Sequence, residues 1–110
     1  VGTSGTVTTL AGVFLNLVRY DRAAVDGLSI PARRMTEISG HLQRLSLTER
    51  AEHPCVGPGR ADLVIGGCAI LQAILDLWPV PDITVADRGL REGILLRLMR
   101  EDAALLAAGD

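Results

Sequence analysis

Apolar residues recur at helical spacing along most of this 110-residue chain. The first such run predicts a helix from Thr6 to Tyr20. A polar stretch from Asp21 to Ser29 predicts a loop, and Pro31 suits the first turn of a second helix because that position needs no backbone N–H. The inner face of this second helix is expected to contain Met35, Ile38, Leu42 and Leu45.

Two further helices are predicted in the middle of the chain. The segment Ser46–Glu49 has the form of a capping box, which would open a short third helix that ends at Pro54. Residues Arg60–Leu77 are apolar almost all round, which predicts a helix buried on most of its sides. Gly66 and Gly67 each lower its helix propensity by up to about 1 kcal/mol, so we expect another backbone to approach closely there.

A strand and a last helix complete the pattern. The strand candidate is Ile83–Ala86, which is short and partly β-branched, and the last helix is predicted from Leu90 to Ala107. A strand stub at the N terminus would be joined to this strand through helices, which argues for parallel pairing in a very small sheet. The inner face of the last helix is expected to contain Leu90, Ile94, Leu98 and Leu105.

The opening residues 1–11 contain two glycines and five hydroxyl side chains, and they lead directly into the apolar pattern of the first helix. Glycine allows backbone N–H groups to turn toward one point, and a helix N terminus adds free donors and a positive dipole end, so phosphate is the expected ligand. The candidate phosphate-binding residues are Gly2, Thr3, Ser4, Gly5 and Thr6. The alternative is a glycine turn whose Ser or Thr only caps the helix. The segment is neither a Walker A loop nor a dinucleotide fingerprint, because it lacks the lysine of the first and the glycine spacing of the second.

Arg60 is the second candidate for an anion contact. A guanidinium beside apolar sequence must stay in water, pair with an acid or hold an anion. Asp62 is close enough in sequence to be its partner, so an ion pair at the helix start is the alternative. The chain has eleven arginines and no lysine, which excludes Schiff-base and P-loop lysine chemistry and leaves the arginine fork that suits phosphate oxygens.

A second turn between a strand and a helix contains Asp87, Arg88 and Arg91. In open α/β sheets ligands gather at the carboxyl ends of strands, so these residues are candidates for a supporting role at such a site. The alternative is that Asp87 caps the last helix, while the two arginines are solvated or interface charges.

Composition excludes several functions. A net charge of −2 gives no general electrostatic footprint for nucleic acid or anionic membrane, and no apolar run reaches the length of a membrane span. Two cysteines form no disulfide framework and the start has no secretory pattern, which favours a cytoplasmic protein. His41 and His53 lack metal-ligand spacing, and no carboxylates pair as general acid and base. We therefore predict binding elements, with neither a catalytic residue nor a metal ligand set.

Three segments of the chain, in this order, resemble the exopolyphosphatase and guanosine pentaphosphate phosphohydrolase family (Ppx/GppA phosphatases). Gly2–Ala11 is similar to the family's glycine-threonine signature, and Arg60–Ile65 to its Arg-Ala-Asp helix start. Val85–Gly93 resembles its Asp-x-Gly-Leu-Arg-Glu-Gly segment near the C terminus. The chain departs from the family at Gly66, because the family often has a proline before a glycine at this place. The difference concerns the local geometry of the helix.

The resemblance implies an α/β fold, of which this chain would be a mostly helical piece with a small parallel sheet remnant. Residues 1–110 would form a single partial domain, the C-terminal part of the second domain of an actin-like, ribonuclease-H-like ATPase fold. The family's first phosphate loop, its catalytic glutamate and its second phosphate loop would then lie upstream. Most ligands of the Mg²⁺ ion that the family is expected to need would lie upstream as well.

The resemblance also implies a function. The parent protein would release terminal phosphate from inorganic polyphosphate or guanosine pentaphosphate, and Gly2 to Thr6 with Arg60 would form part of the cleft wall. Asp87, Arg88 and Arg91 would support that wall or a domain contact, and the chain alone would be inactive. Its expected partners are the remainder of the parent protein and a second copy in a homodimer. Two alternatives are a non-catalytic binding or dimerisation module and a part of another actin-like ATPase or sugar kinase.

Overall fold

A computed structural model describes residues 1–109, which form six helices and a two-stranded sheet. In chain order the elements are α1 (Gly5–Phe14), α2 (Arg22–Val25), β1 (Ser29–Pro31), α3 (Ala32–Arg44), α4 (Leu47–Glu52), α5 (Val64–Leu77), β2 (Asp82–Thr84) and α6 (Leu90–Ala108). The mostly helical character and the order of the long helices are as predicted.

The first helix is shorter than its apolar pattern suggests, since it ends at Phe14 rather than Tyr20. Asn16 adopts a left-handed backbone conformation with φ of 56°. The Leu17 N–H then donates to the Gly12 carbonyl at 3.1 Å, which closes a Schellman-type helix end. An asparagine that tolerates positive φ therefore ends the helix while the apolar residues continue.

The segment predicted as a loop, residues 21–29, contains the short helix α2 and the first residue of β1. Pro31 is the last residue of β1 instead of lying in the first turn of a helix, and α3 begins at Ala32. Proline fixes φ near −65°, which suits both a strand edge and a helix start, so the residue alone does not distinguish them. Of the predicted face of α3, Met35, Ile38 and Leu42 are buried and Leu45 is partly buried.

The two-stranded sheet is antiparallel, with Ile30 of β1 opposite Ile83 of β2, so the sheet is not the purely parallel remnant that was predicted. The predicted pairing of the N-terminal stub with residues 83–86 is parallel as expected, and within the described residues it consists of one bridge, between Gly2 and Val85. There the Gly2 N–H donates to the Thr84 carbonyl at 2.8 Å. β1 was not predicted because three residues ending in proline give no alternating pattern. β2 therefore has β1 on one side and the opening segment on the other.

The core is formed by aliphatic side chains from α1, α3, the start of α5 and the two strands. This agrees with the scarcity of aromatic residues, which make up 3% of the sequence. The largest fully buried side chains are Leu10, Val25, Ile30, Met35, Leu42, Val85, Thr9 and Cys68.

The middle of the chain confirms one cap and corrects one helix start. The predicted capping box is present at α4, where the Glu49 N–H donates to Ser46 Oγ at 3.1 Å and the Ser46 N–H donates to Glu49 Oε1 at 2.9 Å. α5 begins at Val64 rather than Arg60, because residues 60–63 form turns.

Two predictions about burial are wrong. α5 fully buries only Val64 and Cys68, while the side chains of Ile70 and Leu77 are 65% and 72% exposed. No residue of α6 is buried within the described part of the chain. Its expected inner face, Leu90, Ile94, Leu98 and Leu105, is 50–81% exposed. A long apolar run identifies α5 and helical spacing identifies α6, but neither pattern shows which surfaces cover these helices.

The two glycines of α5 differ in their surroundings. A Cβ atom added to Gly67 would lie 2.0 Å from Thr6 Oγ1, so α1 and α5 approach closely at this point. Apart from its chain neighbours and the backbone of its own helix, the same addition at Gly66 would meet no atom of residues 1–109 within 4 Å. The predicted close approach therefore exists at Gly67 alone, and a threonine side chain makes it instead of a backbone.

We expect Gly67→Ala to lower the free energy of unfolding by about 1–3 kcal/mol, because the added methyl group overpacks the contact with Thr6. Gly66→Ala is the matched control and is expected to raise it by roughly 0.5–1 kcal/mol, because it adds helix propensity without a clash. Urea denaturation followed by circular dichroism measures both changes. Equal effects of the two substitutions would contradict the close packing at Gly67.

Candidate functional site

The opening segment enters α1 through Ser4, which is the N-cap of the helix. Its Oγ accepts a hydrogen bond from the Val7 N–H at 3.3 Å, so the capping alternative is real for this residue. The cap leaves the N–H groups of Gly5 and Thr6 without a backbone acceptor among residues 1–109. The start of α1 therefore combines a positive dipole end with two free donors.

Arg60 reaches this helix start from the turn before α5. Its Nη1 donates to Thr9 Oγ1 at 3.3 Å. The guanidinium lies beside Gly5, whose Cβ position would be 3.6 Å from Nη1 and 3.9 Å from Nη2. The predicted alternative, an ion pair with Asp62, is wrong, because Arg60 forms no ion pair with any carboxylate of residues 1–109.

The conformation of the loop that carries Arg60 depends on a glycine turn and on a cysteine that packs against α1. Gly57 has a positive φ of 75°, which glycine adopts without strain. The Cys55 Sγ donates to the Leu17 carbonyl at 3.4 Å, and it would lie only 2.9 Å from a Cβ atom at Gly12. Close packing of this loop on α1 therefore determines where the arginine emerges.

Arg60 and the start of α1 share a hollow of about 280 Å³. Its lining residues are Gly5, Thr6, Thr9, Arg60, Leu63 and Val64. We call it the arginine hollow. It contains no histidine or carboxylate, so its described residues can bind an anion but offer no general base.

The other residues of the predicted phosphate loop lie elsewhere. Gly2, Thr3 and Ser4 line a larger and mostly apolar groove of about 490 Å³, which also contacts Ile70, Ile74 and Trp78. Thr6 borders both cavities. The structure therefore brings Gly5 and Thr6 together with Arg60, whereas Gly2, Thr3 and Ser4 do not line the arginine hollow.

Asp87 lies at a second hollow, of about 380 Å³, which it shares with Arg60, Tyr20 and Cys55. Its carboxylate accepts a hydrogen bond from the Tyr20 hydroxyl at 2.6 Å. Its backbone carbonyl accepts one from Arg22 Nε at 2.9 Å. Asp87 thus connects the turn after β2 to the segment between α1 and α2.

Arg88 lies in an ion-pair network that ties the start of α6 to α2. Its Nε donates to Asp26 Oδ2 at 2.9 Å, and Arg22 pairs with Glu92 at 3.1 Å. The Arg88 guanidinium lowers the pKa of Asp26, and a backbone N–H donated to the same carboxylate lowers it further. Arg91 is exposed and borders neither hollow.

Two residues at these hollows were missed from the sequence. Thr9 lies one helical turn after Gly5, and the i, i+4 spacing places both on one face, so this signal was available. Tyr20 was assigned to the end of the first helix, and its pairing with Asp87 spans 67 residues of chain. Local pattern carries no information about such a pair.

Residues 1–109 contain no group of three or more His, Cys, Asp or Glu side chains that could hold a metal ion. These residues therefore do not by themselves fit a complete Mg²⁺ site. Within the same residues no helix is both long and apolar enough to cross a bilayer.

Comparison with known proteins decides the family. The model of the Ppx/GppA phosphatase family matches residues 1–102. The chain belongs to this family. The resemblance carried by the three sequence segments is thus confirmed, and it takes precedence over the alternative of another actin-like ATPase or sugar kinase.

Individual relatives are about three times as long as this chain. Exopolyphosphatase 2 of Mycobacterium tuberculosis is 28% identical over 102 residues, which are 89% of this chain and 32% of that protein. The chain therefore spans about a third of the length of the curated relatives that it matches.

Solved structures show the same relation. The crystal structure of the Aquifex aeolicus member of the Ppx/GppA family has a TM-score of 0.84 and 27% identity, and the match covers 92% of this chain and 33% of that one. An exopolyphosphatase from Cytophaga hutchinsonii has a TM-score of 0.76 at 22% identity, over 91% of this chain and 33% of that one, and shows the fold alone. The fold is that of this actin-like family, while the assignment of the chain to a C-terminal piece stays a prediction.

The geometry at Tyr20 predicts an unusual titration. Burial raises the pKa of this phenol to about 12, and the hydrogen bond to Asp87 contributes in the same direction. Because the folded state favours the neutral phenol, its contribution to stability is complete below the ordinary value of about 10 and is lost between about 10 and 12. Tyr20 is the only tyrosine, so tyrosinate absorbance measures it directly.

We expect Asp87→Asn to move this midpoint down toward its ordinary value, because the carboxylate acceptor and its charge are lost. Glu101→Gln is the control, since Glu101 pairs with Arg97 on α6. A midpoint near 10 in the unchanged chain would contradict the observed pairing.

Proposed function

We propose that this chain supplies part of the phosphate-binding wall of a Ppx/GppA phosphohydrolase, which releases terminal phosphate from inorganic polyphosphate or guanosine pentaphosphate. The observation that carries the proposal is the Arg60 guanidinium, which has no carboxylate partner in residues 1–109 and lies beside Gly5 at the open start of α1. The exopolyphosphatase relative favours polyphosphate of the two substrates.

The chemistry follows from charge. Phosphoryl transfer depends mainly on positioning the phosphoryl group and neutralising the charge of its oxygens. The free N–H groups of Gly5 and Thr6 and the fork of Arg60 are donors of this kind, and the helix dipole adds to their effect. Gly2, Thr3 and Ser4 would contact the substrate only if it extends toward the apolar groove.

The remaining catalytic parts are proposed to come from outside these 110 residues. They are the glutamate that activates water and most ligands of Mg²⁺. The length of the relatives supports this division, because this chain covers only 32% of the exopolyphosphatase. The proposed roles of Asp87, Arg88 and Arg91 are structural, since the first two hold the base of α6 against α2 and its flanking segment.

A second candidate function is a non-catalytic binding or dimerisation module. The exposed apolar side chains of α6 favour it, because such a helix is stabilised when another surface covers it. A homodimer is compatible with both functions and stays a proposal, as does a cytoplasmic location.

The first test is Arg60→Ala in the full-length protein, assayed by phosphate release from polyphosphate and from guanosine pentaphosphate. We expect KM to rise by roughly 10- to 100-fold, because a charge-assisted hydrogen bond to phosphate is lost. Arg97→Ala is the charge-matched control, because Arg97 is a surface arginine paired with Glu101. Unchanged kinetics in Arg60→Ala would remove the phosphate contact from the proposal.

The second test uses the 110-residue chain by itself. We expect it to release no phosphate from either substrate, because its described residues place no general base at the arginine hollow. Phosphate release above a buffer blank, sensitive to Arg60→Ala, would show that the chain contains its own catalytic group. That result would refute the proposed division of labour.

A further inference from the structure

Thr8 and Thr9 are neighbours in α1, both are buried, and their hydroxyl groups have different partners. The Thr8 hydroxyl donates to the Gly5 carbonyl at 3.1 Å, which is the usual way in which a helical threonine is satisfied. Thr9 Oγ1 accepts from Arg60 Nη1 at 3.3 Å, and this is its only hydrogen bond to a described residue. Because Thr9 is 2% exposed, bulk water does not replace that partner.

Neither helix propensity nor burial favours a threonine at position 9. It forms helix less readily than alanine, and a buried hydroxyl lowers stability unless it is hydrogen-bonded. A residue that goes against local preference in a buried helix indicates a role beyond the core. The partner of the Thr9 hydroxyl identifies that role, since Arg60 is itself an exposed side chain.

The contact determines where the guanidinium lies. The Cβ position of Gly5 would be 3.6 Å from Nη1, 3.8 Å from Cζ and 3.9 Å from Nη2 of Arg60, so the flat face of the guanidinium is directed toward Gly5. Thr9 occupies one donor, on Nη1. Arginine has five N–H donors in a fixed fork, so the others remain available to a ligand in the arginine hollow.

We propose that Thr9 is a positioning residue for substrate binding, whose hydroxyl holds Arg60 beside the open start of α1 before phosphate arrives. This inference rests on the proposed function, because it requires Arg60 to contact phosphate. A free arginine on the surface samples many rotamers and loses that freedom when it binds. An arginine already held by Thr9 loses less rotamer freedom when phosphate binds. Removing the Thr9 hydroxyl should therefore change KM more than kcat.

The test is Thr9→Val in the full-length protein, which removes the hydroxyl and keeps the branched shape. With inorganic tripolyphosphate as substrate, we expect KM to rise ~3- to 10-fold with a smaller change in kcat. Thr9→Ser keeps the hydroxyl and is expected to restore KM to within about twofold of the unchanged protein. Thr8→Val is the matched control, because it removes a neighbouring buried hydroxyl that interacts with the backbone of its own helix and with Tyr20, and that forms no hydrogen bond with Arg60 within residues 1–109.

A double-mutant cycle with Arg60→Ala separates positioning from general structural damage. If Thr9 acts through Arg60, Thr9→Val causes no further rise in KM once the arginine is absent. The same rise in both backgrounds, or no rise in Thr9→Val alone, would overturn the inference while leaving the phosphate contact of Arg60 intact. An Arg60→Ala variant with unchanged kinetics would overturn the proposed function and this inference together.

Discussion

The close packing of the loop before α5, and of α5 itself, against α1 is the constraint on which the rest of the structure depends. Gly12 leaves room for Cys55, and Gly67 leaves room for Thr6. At the helix start Gly5 faces the Arg60 guanidinium. Each contact joins the first helix to a residue about 40 to 60 positions away, so the arginine hollow exists only when this packing is complete.

This arrangement explains why part of the site could be predicted and part could not. Glycines and hydroxyls before a helix are a local signal, and Gly5 and Thr6 lie where that signal places them. The pairing of Gly2 with Val85 is not local, and it draws the first residues toward the apolar groove, away from Arg60. Residue type therefore identified the donors, whereas long-range strand pairing decided which of them face the arginine.

The fold was predictable to a similar depth. Helical spacing identified α3 and α6, and a capping box identified α4. The spacing failed where one residue overrides the pattern, as Asn16 does at the end of α1, and where an element is too short to have a period, as in β1. Burial of α5 and α6 was not predictable, because an apolar face in sequence does not indicate which surface covers it.

The attachment of α6 has a practical consequence for handling the polypeptide. Eight bulky apolar side chains of this helix face water, while ion pairs such as Arg22 with Glu92 hold its base. Added salt screens those surface charges, and sulfate or phosphate salts also strengthen association between apolar surfaces. Both effects favour association of the chain through α6. Precipitation or earlier elution from gel filtration in strong salt therefore reflects the exposed side chains of this helix before it reflects any change in the core.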